Sequence, residues 1–220
     1  MYVLGLTGSI GMGKTEAGRM FARLGVPVYD ADHEVHKLFA RGGAAVVPVE
    51  AAFPGVEHDG AIDRAELGTR VFGNSEALGK LEGIVHPLLQ NGRRAFLKRA
   101  AGNREPLVVL DIPLLFETGG DRAYDGVAVV SAPSFIQRQR VLNRPGMSAK
   151  RFADILAHQM PDGAKRRRAD FVVPTGLGKV VALRRIREIV RLVKTRPARV
   201  WPNGTRPPRG LAALPDHIFI

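Results

Sequence analysis

Short apolar runs alternate with segments of helical apolar spacing along most of the chain. The first run covers residues 2–7, and the segment after it repeats apolar residues at helical intervals. Similar runs lie at 26–29, 107–111, 126–130 and 170–173. Runs without polar alternation are typical of strands buried on both faces of a parallel sheet. The alternation predicts an α/β fold with a doubly wound parallel sheet.

The chain between 40 and 102 lacks a strong strand pattern. Asp63 and Glu66 have capping-box spacing, Ser75 is a candidate N-cap, and His86-Pro87 precedes an apolar helical pattern. We interpret this stretch as a helical insertion. Further helices are predicted over 134–143, 148–159 and 178–194.

Composition narrows the class of protein. Hydrophobic residues make up 45% of the 220 residues and charged residues 25%, as in ordinary globular domains. The absence of cysteine excludes disulfides, thiolate metal sites and a cysteine nucleophile. No basic leader and no long apolar stretch is present, so we expect a cytoplasmic protein with no membrane partner. The net charge of +12 favours phosphate-rich partners without specifying which.

A phosphate-binding motif lies between the first predicted strand and the first predicted helix. Residues 8–15, GSIGMGKT, satisfy G-x-x-x-x-G-K-[ST], the P-loop pattern. Its glycines let backbone N–H groups surround phosphates, while Lys14 reaches the β- and γ-phosphates and the Thr15 hydroxyl can hold Mg²⁺. The predicted ATP contacts in this region are Gly8, Gly11, Met12, Gly13, Lys14, Thr15 and Glu16.

Three carboxylates follow predicted strands. Asp111 ends the 107–110 run, where a P-loop enzyme places a second acidic group to order Mg²⁺. Asp30 and Asp32 follow the second strand, at the side of an open sheet where ligands bind. One of these two can accept the proton of an acceptor hydroxyl. We expect Asp30, more than Asp32, to act as an N-cap.

Basic residues cluster twice in the second half of the chain. Arg138, Arg140 and Arg144 fall on one predicted helix, with Arg140 and Arg144 on the same face, where they can close over ATP. The run 165–168, KRRR, is interpreted as a solvated or phosphate-steering face. His33 and His36 do not form a zinc motif, because H-E-x-x-H requires histidine where Lys37 stands.

Several separated stretches together resemble the dephospho-coenzyme A kinase family. They are the P-loop, Asp30-Ala31-Asp32, His86-Pro87, the run 111–117 (DIPLLFE), the pair Arg140 and Arg144, and Gln159 before Ala169-Asp170. The matching order and spacing extend from residue 3 to about 193. Two residues depart from the family pattern: Glu16 replaces a hydroxyl residue, and Pro174 replaces a polar one.

The resemblance implies transfer of phosphate from ATP, with Mg²⁺, to the ribose 3′-hydroxyl of dephospho-coenzyme A. Asp32, Lys14 and Arg140 are then the expected catalytic residues, with Arg140 and Arg144 also binding ATP, and Thr15 and Asp111 holding the metal. The residues expected near the acceptor are Asp30, His86, Leu115, Phe116 and Glu117.

The resemblance also implies a division of the chain. The core would comprise 1–32 and 103–194, with a coenzyme A-binding helical insertion at 33–102 and a lid at 140–168. Residues 195–220 hold five prolines and four arginines, and we interpret them as an irregular tail outside the resemblance.

Two alternatives stay open from the residues alone. Another P-loop kinase of small metabolites or nucleotides would share the core and differ only in its acceptor. A nucleic-acid-binding P-loop protein would use the positive charge, but the chain has no basic stretch with interleaved aromatic residues to stack bases, so we do not expect a nucleic-acid partner.

Overall fold

A computed structural model of the chain describes residues 1–202. Its centre is a five-stranded parallel sheet in the order β2-β5-β1-β6-β7. The strands are β1 (Tyr2–Thr7), β2 (Val28–Asp30), β5 (Leu107–Asp111), β6 (Gly126–Ser131) and β7 (Phe171–Pro174). The non-consecutive order requires crossover connections, so the α/β sheet expected from the sequence is confirmed.

The central strands are buried along their whole length. Every residue of β1, β5 and β6 is buried, as the unbroken apolar runs predicted. In the register of the sheet, Leu6 of β1 lies beside Asp111 of β5 and Ala128 of β6. Asp111 and the P-loop that follows β1 therefore emerge at the same carboxyl edge of the sheet.

Helices α1 (Lys14–Arg23) and α9 (Lys179–Lys194) pack against each other and on the sheet. Apolar residues at helical spacing, including Phe21 of α1 and Ile186 of α9, join the strand residues in one core. Between β6 and β7 lie α6 (Ser134–Leu142), α7 (Ala149–Ala157) and α8 (Asp162–Arg168). Ser148 caps α7, because its hydroxyl accepts the Arg151 N–H at 3.1 Å.

The segment after β2 is built mainly of helices. They are α2 (Ala31–Phe39), α3 (Val46–Ala52), α4 (Arg64–Val71) and α5 (Ser75–Gly102). These helices have a hydrophobic core of their own, in which Phe39, Leu67 and Leu81 are fully enclosed. The expected cap of α4 is present: the Asp63 carboxylate accepts the N–H groups of Ala65 and Glu66, and the bond from Glu66 is the main cause that lowers the pKa of Asp63.

The structure corrects three local predictions. His86-Pro87 does not open a new helix, because α5 continues through Pro87 with Leu81, Val85 and Leu89 at four-residue spacing in one core. The antiparallel pair β3 (Glu57–His58) and β4 (Ala61–Ile62) was not predicted. Asp59 and Gly60, both at positive φ, form its turn, so the Asp-Gly pair was the sequence feature that indicated it. Residues 165–168 belong to α8, a helix that was not predicted; Arg166, Arg167 and Arg168 are exposed, as expected of a solvated face, but Lys165 is buried.

The described residues form two compact units. We call residues 1–29 with 100–202 the sheet unit, and residues 30–99 the helical unit. The first residues of the predicted tail pack within the sheet unit: Val200 is buried, and the N–H groups of Arg199 and Val200 donate to Asp125. Residues 203–220 of that tail lie outside the described residues. Within residues 1–202 the helices are all too short or too polar to cross a membrane.

Candidate active site

The P-loop (residues 8–15) connects β1 to α1 through two residues with left-handed backbone. Gly11 has φ 74° and Gly13, the N-cap of α1, has φ 91°. A side chain is strained at both φ values, and a Cβ on Gly11 would also lie 2.5 Å from a methyl group of Val141. Gly8 follows β1 directly, and buried Met12 accepts the Ala132 N–H at its sulfur at 3.1 Å. The loop thus turns its backbone around the N-terminus of a helix, the geometry of an anion site.

Lys14 and Asp111 form an ion pair at the carboxyl edge of the sheet. The distance from Lys14 Nζ to Asp111 Oδ1 is 2.7 Å, and the Asp111 side chain is only 2% exposed. Helix α1 approaches the same carboxylate, because a Cβ on Gly18 would lie 3.6 Å from Asp111 Oδ2. The pair places a cation and a buried carboxylate side by side, next to the loop that sequence analysis assigned to phosphates.

Thr15 and Glu16 occupy the first turn of α1, and Thr15 is exposed. Glu16 does not stand as an uncompensated negative charge: its carboxylate lies 3.2 Å from Lys179 Nζ and 3.8 Å from Arg19. These cations offset its repulsion of an anion at the P-loop.

Arg140 of α6 lies against the P-loop, whereas Arg144 lies beyond the end of that helix. The Arg140 guanidinium donates to the Thr175 carbonyl at 2.8 Å and to the Gly11 carbonyl at 3.4 Å. Helix α6 ends at Leu142, so the prediction that Arg144 lies on the same helix is wrong. Pro145 explains the early end, because proline disfavours helical backbone in the residue before it.

A cavity of about 240 Å³ opens beside this arginine. Helix α1 contributes Ala17 and Met20, helix α9 contributes Ala182, and Glu16 and Lys179 supply charges. Arg140, Thr175, Gly178 and Gly13 complete the lining, and through Gly13 the cavity adjoins the P-loop directly.

Three side chains to which sequence analysis assigned no role form hydrogen bonds with the backbone of the P-loop. The Gln137 amide donates to the Ile10 carbonyl at 2.8 Å, and the Gln159 carbonyl oxygen accepts the Ile10 N–H at 3.0 Å. The Thr175 hydroxyl donates to the Met12 carbonyl at 2.5 Å. Gln159 was part of the family pattern, whereas no motif points to Gln137 or Thr175.

The segment after Asp111 is mostly interior. Leu115 and Phe116 are 1% and 2% exposed. Glu117 accepts the Met160 N–H at 2.8 Å, and its carboxylate lies 2.8 Å from Nζ of Lys165, whose side chain is fully buried. A basic run offers no sequence feature that separates a buried lysine from a solvated one.

The helical unit holds the other expected site residues. Asp30 is the N-cap of α2, as predicted, since its Oδ1 accepts the His33 N–H at 3.0 Å. Asp32 follows in the first turn of α2, partly exposed, and His86 is half-buried in α5. One turn after Asp32, His36 Nδ1 accepts a bond from Arg64 at 3.1 Å. Partial burial of the ring, and then the charge of Arg64, lower the pKa of His36.

Among residues 1–202, no three His, Asp or Glu side chains cluster as a metal cage. That arrangement is compatible with Mg²⁺, which usually takes one or two protein ligands together with substrate phosphates and water. Asp111 is a buried carboxylate beside the loop that carries Thr15.

Comparison with known proteins identifies the family. The family model described as dephospho-CoA kinase matches residues 2–177. The chain is 60% identical to a dephospho-CoA kinase of Paramagnetospirillum magneticum over 94% of this chain and 99% of that one. It is 53% identical to the enzyme of that name from Rhodospirillum rubrum over 93% and 97%.

Solved structures agree in fold. A crystal structure from Thermus thermophilus superposes with a TM-score of 0.75 at 32% identity, covering 89% of this chain and 98% of that one. A dephospho-CoA kinase from Campylobacter jejuni has a TM-score of 0.60 at 22% identity, over 87% and 97%, and bears on the fold alone. With a family model matching most of its length and relatives at this identity, the chain belongs to the dephospho-CoA kinase family.

Proposed function

We propose that this member of the family transfers the γ-phosphate of ATP to the ribose 3′-hydroxyl of dephospho-CoA, with the P-loop as its ATP site and Asp32 as its base. The bond from the γ-phosphorus to the β–γ bridging oxygen breaks, and a bond to the 3′-oxygen forms. The hydroxyl proton goes to the Asp32 carboxylate, and ADP and coenzyme A are the products.

The observation that carries this assignment is the Lys14–Asp111 pair beside the P-loop. Lys14 is the cation that would stabilise charge on the transferring phosphate. Backbone N–H groups of the P-loop and the N-terminus of α1 would hold the β- and γ-phosphates from the other sides.

Thr15 and Asp111 would hold Mg²⁺, in keeping with an ATP-dependent family. When bound, the ion neutralises charge on the β- and γ-phosphates. Asp111 is proposed for this role because it ends β5 beside the P-loop strand β1, where a carboxylate can order the ion or its water. The Thr15 hydroxyl, exposed in the first turn of α1, can add a neutral oxygen ligand.

The cavity beside Arg140 would take the base of ATP. Its aliphatic surfaces from α1 and α9 suit a flat aromatic ring, and it adjoins the P-loop as the phosphates require. Arg140 would serve the nucleotide from the cavity wall, where bonds to Thr175 and Gly11 orient its guanidinium. We also propose that Arg144, on the exposed segment after α6, contacts ATP.

The acceptor would use the helical unit, with Asp32, Asp30 and His86 near it. Support for Asp32 as the base comes from its place just after a strand carboxyl end, in a partly exposed first helical turn, while Asp30 is engaged as the cap of α2. For Leu115, Phe116 and Glu117 we propose a supporting role instead of direct contact, because the first two are buried and Glu117 is paired with Lys165.

The test is an acceptor panel with purified enzyme, ATP and Mg²⁺, followed by ADP release and mass spectrometry of the product. Dephospho-CoA should be converted to coenzyme A in proportion to ADP formed. Coenzyme A itself, whose 3′-position is already phosphorylated, is the matched control and should give no ADP above background. Faster turnover with adenosine, AMP or a small hydroxy acid would reject the proposed acceptor.

A further inference from the structure

Three consecutive carbonyl groups of the P-loop, those of Ile10, Gly11 and Met12, each accept a bond from a side chain outside the loop. The donors are Gln137 to Ile10 at 2.8 Å, Arg140 to Gly11 at 3.4 Å, and Thr175 to Met12 at 2.5 Å. Gln159 holds the Ile10 N–H at 3.0 Å. These donors and acceptors come from three separate parts of the sheet unit: α6, the turn between α7 and α8, and the residue after β7.

Peptide geometry turns these contacts into a constraint on the inside of the loop. In a trans peptide the C=O of one residue and the N–H of the next point in opposite directions. Holding the Ile10 carbonyl against Gln137 therefore turns the Gly11 N–H away from α6. Holding the Met12 carbonyl against Thr175 turns the Gly13 N–H away from Thr175 in the same way.

The side chains that impose this constraint are themselves fixed. Gln137 is 6% exposed on α6, one turn before Val141, which packs against Gly11. The Thr175 N–H donates to the Ser131 carbonyl at 2.8 Å, so its position is set by the end of β6. Gln159 is followed by Met160, whose N–H bonds to Glu117. None of these supports depends on a nucleotide.

We infer that Gln137, Gln159 and Thr175, which we call the outer brace, are positioning residues that hold the P-loop amides in their phosphate-binding arrangement before ATP binds. This inference rests on the proposed binding of ATP phosphates by the P-loop. The brace acts through the backbone of Ile10 and Met12. Because the loop is already ordered, ATP binding carries a smaller conformational free-energy cost.

Thr175→Val tests the brace because it keeps the shape of the side chain and removes the donor to Met12. The affinity for ADP, measured by calorimetry, should weaken about tenfold, near the upper end for one net hydrogen bond. Amide hydrogen exchange at Ile10 and Met12, whose N–H groups donate to Gln159 at 3.0 Å and to the Ser9 carbonyl at 3.1 Å, should accelerate in the nucleotide-free enzyme. Thr175→Ser, which restores the hydroxyl, should recover most of the affinity and the slow exchange.

Gln137→Met provides an independent test, because it removes the donor to the Ile10 carbonyl. It should raise the KM for ATP by about the same factor as Thr175→Val, while kcat at saturating ATP changes less, since bound ATP itself orders the loop. Thr195→Val is the matched control, because it also removes a hydroxyl that donates to a backbone carbonyl, that of Leu192, at 2.9 Å. Its ADP affinity and P-loop exchange should equal those of the parent.

Two outcomes separate the brace from the function on which it rests. If Thr175→Val and Gln137→Met bind ADP like the parent and keep slow exchange, while Lys14→Ala is inactive, the brace is refuted and the P-loop assignment stands. If Lys14→Ala still binds ATP and turns over normally, the proposed function itself fails. A fall in melting temperature with unchanged ADP affinity would show that the brace is merely structural, which also overturns the inference.

Discussion

Nζ of Lys14 lies 2.7 Å from Oδ1 of Asp111, so the P-loop cation and the carboxylate that ends β5 form one charged unit. The carboxylate is almost completely buried, which makes the pair strongly dependent on both partners. Lys14 is thereby held at the carboxyl edge of the sheet. Its charge is in place ahead of a nucleotide, which is what preorganised electrostatic stabilisation requires.

Lys14→Ala should abolish turnover in a protein that still folds but melts at a lower temperature, because the buried Asp111 carboxylate loses the lysine cation. The loss of a preorganised charge on the transferring phosphate should raise the barrier by about 3 kcal/mol or more. The measurement is single-turnover transfer to dephospho-CoA, with circular dichroism as the check on folding. Asp111→Asn is the companion variant. Its turnover should be lower than that of the parent and should depend less on the concentration of Mg²⁺. A folded Lys14→Ala enzyme with near-parental turnover would disprove the P-loop assignment.

Asp32→Asn should separate ATP binding from phosphoryl transfer. The amide keeps the shape of the carboxylate and cannot take the proton of the acceptor hydroxyl, so transfer should fall by roughly 10²-fold or more. ATP affinity should stay close to that of the parent enzyme, because the P-loop is unchanged. Both quantities are measured in parallel.

The matched control for Asp32→Asn is Asp30→Asn. Asp30 caps α2 through the His33 N–H, and asparagine is also a good cap, so the effect on transfer should be milder. An inactive Asp30→Asn beside an active Asp32→Asn would reverse the two roles. Normal activity in both variants would place the base elsewhere.

Much of the fold follows from local pattern. The apolar runs that became β1, β5 and β6 are unbroken, and the caps Asp30, Asp63 and Ser148 precede the helices they begin. The P-loop was predictable for the same reason, because its glycines and Lys14 have fixed spacing within eight residues. Such features depend on neighbours along the chain.

Features set by contacts between distant residues were not predictable. Lys165 and Arg168 stand in one basic run, yet the first is buried against Glu117 and the second pairs with Asp121 at the surface. Gln137 and Thr175 reach the P-loop from more than a hundred residues away, and nothing in their local sequence indicates it. The end of α6 before Arg144, by contrast, could have been predicted, because Pro145 follows it in the sequence.

Lys165→Met should destabilise the enzyme by about 3–5 kcal/mol, because it leaves the Glu117 carboxylate without its buried partner. Urea unfolding gives the value. The double variant Lys165→Met, Glu117→Gln should recover most of the loss, since glutamine can still accept the Met160 N–H.

Arg168→Met, on the same helix, is the control for Lys165→Met. The ion pair of Arg168 with Asp121 is partly exposed, so the variant should lose about 1 kcal/mol of stability or less. Equal losses for the two single variants would contradict the distinction between a buried and a surface pair.

His36→Gln should reduce the loss of stability on acidification. The pKa of His36 in the folded protein lies below its ordinary 6.5, so the unfolded chain binds the proton more readily. The parent therefore loses stability from this group as pH falls through 6.5 towards the folded pKa, and the variant does not. Urea unfolding of the parent and the variant at pH 8 and pH 5 measures how much stability each loses on acidification. Equal losses in the two proteins would show that His36 does not contribute to the pH dependence.

Truncation should separate the packed beginning of the tail from the rest. Removal of everything after Lys194 takes away the Arg199 and Val200 N–H groups that donate to Asp125, at 2.6 and 3.0 Å, and the Arg196 guanidinium stacked on Phe171. The other oxygen of Asp125 accepts the Val3 N–H of β1, so the loss reaches the central strand. Burial of Val200 alone contributes about 1.5 kcal/mol or more, and this variant should melt at a lower temperature.

Truncation after Pro202 keeps all of these contacts and should melt like the full chain. Turnover at 25 °C should stay within a few-fold of the parent for both truncations, because every proposed catalytic residue precedes 195. Asp125→Ala in the full chain is the matched control, and it should reproduce most of the destabilisation seen after Lys194. If the shorter truncation folds but loses activity, residues 195–202 contribute to the site. If the truncation after Pro202 is inactive, the contribution comes from 203–220.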